Sequence, residues 1–235
     1  MINADPTLIG DLVSANHILY RHGVVDGFGH VSVRDDANPD RFLLARNMAP
    51  ALVATTDIMA FSLDGTPEND ERQPYLERFI HGSIYRARPD VGAVVHSHAP
   101  SVIPFGVVRG VTLRPIYHMS SFLGGPVPVF EIRDAAGDDN DVMVRDVRLG
   151  DALATSLGAL PAVLMRGHGA TIVGSNVRQA VFRAVYTAAN AGLQAEAMRL
   201  GEVTYLSEYE IARSAVTNAG QADRAWNLWL REAQG

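Results

Sequence analysis

The chain has 235 residues and a mass of 25.4 kDa; 47% of it is hydrophobic, its formal net charge is −6 and its pI is near 5.7. That length suits one α/β domain able to bury most of its apolar surface, while the acidic balance argues against a nucleic-acid surface and leaves a small molecule as the expected ligand. No apolar run approaches the roughly 20 residues needed to span a bilayer, the N-terminus lacks the basic start of a signal peptide, and the absence of cysteine removes disulfides and thiolates, so a cytoplasmic protein is expected.

A first helix is expected over 6–22, stopped by Gly23. Short strands should follow over 30–34, 41–45 and 58–63, separated by turn signals such as Asn38-Pro39 and Asp64-Gly65. The segment 74–88 reads as a helix: Pro74 suits a first turn, Leu76, Phe79, Ile80 and Ile84 form a one-sided stripe, and Pro89 stops it. An apolar strand over 91–98 comes next, then a stretch broken by Pro104 and glycines. A strand is expected over 127–132, followed by an acidic loop over 134–141. The segments 161–165 and 170–173 look like a hairpin turning at Arg166-Gly167-His168-Gly169. A long helix should run over 176–200, and Ser207 with Glu210 fits a capping box for a final helix carrying Trp226 and Trp229. Strands clustered in the middle, with helices before, between and after, describe an α/β sheet covered by helices in one domain, 1–235.

All 20 basic residues are arginine. Without lysine the chain can form no Schiff base with a carbonyl and no linkage to pyridoxal phosphate. Bond breaking beside a carbonyl would then need another electron sink, for which a Lewis-acidic metal ion is the natural substitute. His96 and His98 lie two apart on the expected strand and so leave the same face. Imidazole pairs of this kind suit zinc, manganese, iron or cobalt. The simpler reading is a solvated face, but Val91, Val94 and Val95 mark the strand as buried, where two histidines need partners. His168 stands between two glycines, which leaves room for a ligand to approach. Three histidines with one open position describe a catalytic rather than a closed structural site. Glu77 has two readings: an exposed helical glutamate paired with Arg78 or His81, or a fourth metal ligand or general base.

The run from Glu77 through His81 and Arg88-Pro89-Asp90 to Val94-Val95-His96-Ser97-His98, followed far downstream by Arg166-Gly167-His168-Gly169, resembles the class II aldolase/adducin family over 8–206. The resemblance implies a three-layer α/β/α fold with a central, mainly antiparallel sheet. It also implies a homotetramer with active sites at subunit interfaces, and one divalent metal ion per subunit, Mn2+ or Zn2+. The family's metal ligands carry over to His96, His98 and His168, and its catalytic glutamate to Glu77.

Departures from the sugar-phosphate aldolases of that family narrow the substrate. Their G-N-x-S loop here reads Gly29-His30-Val31-Ser32, their threonine–glycine loop Ala45-Arg46-Asn47-Met48-Ala49-Pro50, and their serine pair Tyr75-Leu76. The groups suited to phosphate are largely gone. With Tyr117-His118-Met119, the pattern looks like the branch containing decarboxylases of hydroxylated aromatic dicarboxylates, such as 3-hydroxy-2-methylpyridine-4,5-dicarboxylate or 3,4-dihydroxyphthalate. An aldolase or epimerase of an unphosphorylated sugar acid or hydroxy-oxo acid, or a non-catalytic module like the adducin head, are the alternatives. Tyr117, His118, Tyr205 and Tyr209 are candidate proton donors, the last two read more readily as packing the final helix. His30 and His81 are candidate pocket histidines. Arg46 is either a clamp for a substrate carboxylate or half of a surface ion pair. A flat substrate would sit against Phe28, Tyr117 or Phe122, and His17 and His22 are expected on the surface of the first helix.

Overall fold

The computed structural model describes residues 4–234; the ends of the expected 1–235 domain, residues 1–3 and 235, lie outside the described residues. Seven strands, β1 (His30–Arg34), β2 (Arg41–Ala45), β3 (Ile58–Ser62), β4 (Ala93–Ser97), β5 (Val129–Phe130), β6 (Ala162–Met165) and β7 (Gly169–Gly174), form one sheet in the order β3-β2-β1-β4-β7-β6-β5. Every pairing is antiparallel except the parallel β5–β6 edge. Continuous apolar runs such as Phe42-Leu43-Leu44-Ala45, all buried, are what a sheet covered on both faces requires.

The covers are helices. On one side lie α1 (Pro6–Arg21) and α6 (Val177–Leu200), packed on each other and on β1, β4 and β7, and on the other α2 (Arg78–Ala87) against α5 (Val147–Leu157). Shorter helices α3 (Ile103–Val107) and α4 (Arg133–Ala136) line the β6–β5 end, and α7 (Glu208–Asn218) and α8 (Ala222–Gln234) complete the α6 side. This is the expected α/β/α arrangement. No helix among the described residues is long and apolar enough to cross a membrane.

Tertiary contacts moved several boundaries. The helix expected from Pro74 begins only at Arg78. Before it, the Asn47 N–H donates to the Gln73 carbonyl at 2.9 Å, Arg46 bridges Pro74 in antiparallel fashion, and the Tyr75 hydroxyl donates to the Met48 carbonyl. These pairings outweigh the local preference of proline for a first turn, and Leu76 is left 46% exposed instead of joining the stripe. The strand expected over 127–132 shortens to two residues, with α4 taking 133–136 out of the acidic loop. The capping box at Ser207 and Glu210 is present, but the final helix is two helices, broken at a turn where the Gln221 N–H donates to the Asn218 carbonyl beside Gly220; the tryptophans belong to α8. Helix α5 was not expected. Its signals are nonetheless local: the Asp146 side chain accepts from the Leu149 N–H at 2.8 Å, Leu149, Leu153 and Leu157 are buried at helical spacing, and Gly158 ends it. His17 and His22 are also not free surface groups. His17 Nε2 contacts the Val53 carbonyl at 2.9 Å, and His22 packs edge-on against Trp229 with centroids 4.7 Å apart.

Candidate metal centre

Strand β4 ends at Ser97, so His96 points from the sheet while His98 lies just beyond its edge. His168 comes from the turn joining β6 to β7. Glycine is needed beside it, because a Cβ on Gly169 would lie 2.0 Å from the Ser97 carbonyl oxygen and would separate β7 from β4. Glu77 holds the N-cap position of α2, yet its carboxylate does not cap the helix. It is 4% exposed and faces the histidines, so the reading of Glu77 as an exposed helical residue is corrected.

These four side chains converge. Each offers one ligand atom within 4.8 Å of all the others. Nε2 of His98 lies 2.9 Å from Nε2 of His96 and 3.0 Å from Nε2 of His168, while Glu77 Oε2 lies 3.4 and 3.3 Å from the His96 and His168 nitrogens. Two backbone groups orient the set. The Nδ1–H of His168 donates to the Val142 carbonyl at 2.8 Å, leaving the Nε2 lone pair of the neutral ring aimed inward, and the Val144 N–H donates to Glu77 Oε1 at 2.9 Å. Val142 has φ +61°, a left-handed conformation that a β-branched residue adopts only under constraint. The acidic loop therefore ends in a strained clamp on two candidate ligands, which nothing in the sequence announced.

Burial alone would raise the Glu77 carboxyl, but His96 and His168 beside it hold it well below the usual carboxylate range. Burial, then His96 and His168, push His98 down to about 4, so its lone pair is free at neutral pH. Burial would lower His168 too, but Glu77 and the Val142 carbonyl raise it. One N–H between two imidazoles can satisfy a pair; three converging nitrogens around a carboxylate are satisfied together by a cation. Separations of 2.9, 3.0, 3.3 and 3.4 Å, with every donor within 4.8 Å of the others, are those of donors gathered about a single ion. Three imidazoles and a carboxylate suit a borderline divalent ion.

The remaining expected residues divide into two places. His30 and His81 lie beside the ligand group: His30 is the register partner of His96, with ring centroids 5.0 Å apart, and its Nδ1 lies 2.7 Å from Nε2 of His81. Gly29 precedes it at φ +88°, where a side chain would strike Val25 and the His96 carbonyl. Tyr75 packs on His30 at 4.6 Å, which brings the three altered phosphate-loop positions together. Arg46 sits there too, but its Nε donates to Asp57 Oδ1 at 2.8 Å, and the side chain is 41% exposed, as an ion pair would be.

Tyr117 and His118 lie elsewhere. The Asn218 amide donates to the His118 carbonyl at 2.7 Å, Tyr117 faces Tyr186, and His118 lines a cavity of about 400 Å³ with Tyr186 and Trp229. Among the described residues no hydrogen bond, ion pair or ring contact joins them to the four candidate ligands. Phe122 packs on Phe182, and Phe28 is 71% exposed on the loop before β1. Tyr205 packs under Arg114 and accepts from Gln194, whereas Tyr209 is 86% exposed. Sequence reasoning missed Ser32 as a partner of His81, Tyr85 behind it, and the backbone of Val142 and Val144; only the serine had a signal, lying two residues from His30 on one strand face.

Residues 10–195 match the family model described as the Class II Aldolase and Adducin N-terminal domain. The chain belongs to the class II aldolase and adducin family. Among curated proteins it is 38% identical to decarboxylase tropJ of Talaromyces stipitatus, over 94% of this chain and 92% of that one. It is 33% identical to the 3,4-dihydroxyphthalate decarboxylase of Arthrobacter keyseri, over 80% and 77%. A solved aldolase II superfamily protein from Pseudomonas syringae superposes with a TM-score of 0.81 at 21% identity, covering 99% of this chain and 95% of that one, which establishes the shared class II aldolase fold.

Proposed function

We propose that this family member is a divalent-metal-dependent carboxy-lyase acting on a hydroxylated aromatic or pyridine dicarboxylate, of the 3,4-dihydroxyphthalate or 3-hydroxy-2-methylpyridine-4,5-dicarboxylate type. The observation that carries it is the convergence of three imidazole nitrogens and one carboxylate on a common point, in a chain whose similar relatives include decarboxylases. His96, His98 and His168 would hold Mn2+ or Zn2+, with Glu77 as a fourth ligand or as the base beside it. A bound ion supplies Lewis acidity to adjacent substrate oxygens. The chain's own residues do the rest. Glu77, anchored by the Val144 amide, is placed to carry or release a proton at the ligand group. His30 and Tyr75 replace small phosphate-binding groups with rings, which favours a planar substrate over a sugar phosphate. Departure of the carboxyl group as carbon dioxide requires a proton at the ring carbon. Tyr117 and His118 are our candidates to deliver it, from the neighbouring subunit of a homotetramer whose sites lie at subunit interfaces.

The test is carbon dioxide release from a panel of ortho-hydroxy aromatic and pyridine dicarboxylates, with and without chelator, beside aldol cleavage of sugar acids. Metal-dependent release from an aromatic acid is expected. Silence on every aromatic acid, with aldehyde formed from a sugar acid, would move the protein to the aldolases while keeping the metal site. Failure to retain any metal would sink both readings and leave an interaction module.

A further inference from the structure

Behind the candidate ligand group runs a second chain of polar atoms whose hydrogen bonds the proposed reaction leaves unassigned. His30 Nδ1 meets His81 Nε2 at 2.7 Å, His81 Nδ1 meets Ser32 Oγ at 2.6 Å, and Ser32 Oγ meets the Tyr85 hydroxyl at 2.8 Å. Its four members are 4%, 0%, 0% and 1% exposed. In such a place the protons must be accounted for one by one, because a buried donor left without an acceptor is costly.

The count has one solution that leaves no proton stranded. The Tyr85 hydroxyl has a single side-chain partner, Ser32 Oγ, so its proton goes there. The proton of Ser32 must then go to its other partner, His81 Nδ1. Having accepted at Nδ1, neutral His81 carries its proton on Nε2 and donates to His30 Nδ1. Neutral His30 therefore carries its proton on Nε2. That nitrogen has no partner among the described residues, and it is not among the fully enclosed unpaired atoms, so it shares in the 4% exposure His30 keeps. Its ring packs against both His96 and Tyr75. Running every bond the other way would strand the Tyr85 proton in the core.

We propose that Tyr85, Ser32 and His81 are positioning residues that lock His30 as a neutral Nε2–H donor facing the substrate pocket, selecting ligands that present a carboxylate or carbonyl oxygen beside the metal-ligand group. The relay ends at a buried hydroxyl with no outlet, so it directs a hydrogen bond and does not conduct protons. His30 is accordingly a binding group and not the base. The identity of the ligand rests on the reading of the site as a carboxy-lyase; the direction of the relay does not.

The test uses the zinc-loaded protein with 15N-labelled histidine. Long-range proton–nitrogen correlation is expected to show His30 and His81 protonated at Nε2. Tyr85→Phe removes the proton that fixes the direction, and should give a mixed His30 tautomer with zinc content unchanged. Ser32→Ala should do the same and raise KM for 3,4-dihydroxyphthalate about tenfold, the loss of roughly one hydrogen bond, with kcat less affected; Ser32→Thr, which keeps the hydroxyl, should restore both. His30 protonated at Nδ1 in the unaltered protein would overturn the proposal whatever the substrate. The expected tautomer without turnover of any aromatic acid would uphold the relay and reject the carboxy-lyase reading instead.

Discussion

His30 and His96 are register partners on neighbouring strands, yet their imidazoles belong to clusters that meet the demands of burial in opposite ways. Around His30 the protons of Tyr85, Ser32 and His81 each find an acceptor inside the protein, and only the Nε2–H of His30 at the end of the row is left over. Around His96 the nitrogens of three rings face one another and a carboxylate, and Nδ1 of His96 is buried without a partner. The first cluster is paired within the chain up to its last nitrogen; the second has the donor set to take a cation. Buried polar groups paired within the protein report on structure, whereas buried groups that converge without pairing report on a ligand.

The contrast is broken most severely at the open cluster. His96→Ala or His168→Ala should abolish stoichiometric metal binding and lower carbon dioxide release by about 1,000-fold or more, a loss of roughly 4 kcal/mol in transition-state stabilisation. Elemental analysis and turnover check it. Chelation of the unaltered protein should lower its stability by a few kcal/mol, about 2.7 where metal stood at a hundred times its Kd.

The closed cluster should answer differently. His81→Ala leaves Ser32 and His30 without a buried partner and should cost about 2–4 kcal/mol in denaturant unfolding while metal is retained. Burial, with His96 beside it, pushes His81 down to about 3, and burial with its neighbours pushes His98 to about 4. The unfolded chain, with ordinary histidines near 6.5, therefore binds more protons in between. Metal-free protein should be most stable above pH 6.5 and lose stability as pH falls toward 4, by up to about 1.4 kcal/mol per pH unit for each such histidine. His168, raised, opposes this: its contribution is full below 6.5 and lost above. Glu77, lowered, adds a further loss below its ordinary range. His81→Ala should flatten the acid limb by about one proton, read from unfolding curves across pH.

The smallest effect is expected at Arg46. Paired with Asp57 at the surface and 41% exposed, Arg46→Ala should change stability by less than about 1 kcal/mol. A large rise in KM without loss of stability would show instead that the guanidinium leaves Asp57 to hold a substrate carboxylate.

Much of this was legible in the chain. The strand and helix periods, the H-x-H pair, the glycine-flanked His168 and the lack of lysine are local or compositional signals, and the family pattern joined them in order. What local pattern could not supply was where Pro74 to Glu77 would go. The stretch resembles a first turn, and only its pairing with 46–48 pulls it straight and turns the Glu77 carboxylate into the core.

By itself, the sequence determined the donor chemistry on offer: imidazole and carboxylate, no thiolate, no lysine amine, and the order in which those groups follow along the chain. The tertiary structure alone decided which atoms face each other. The Val142 carbonyl that sets the His168 tautomer, the Val144 amide on Glu77, and the Tyr85 hydroxyl that gives the His30 relay its direction are contacts across 26, 67 and 53 positions. Local propensity carries no information about a hydrogen bond whose partners meet only when strands pair and helices pack over them.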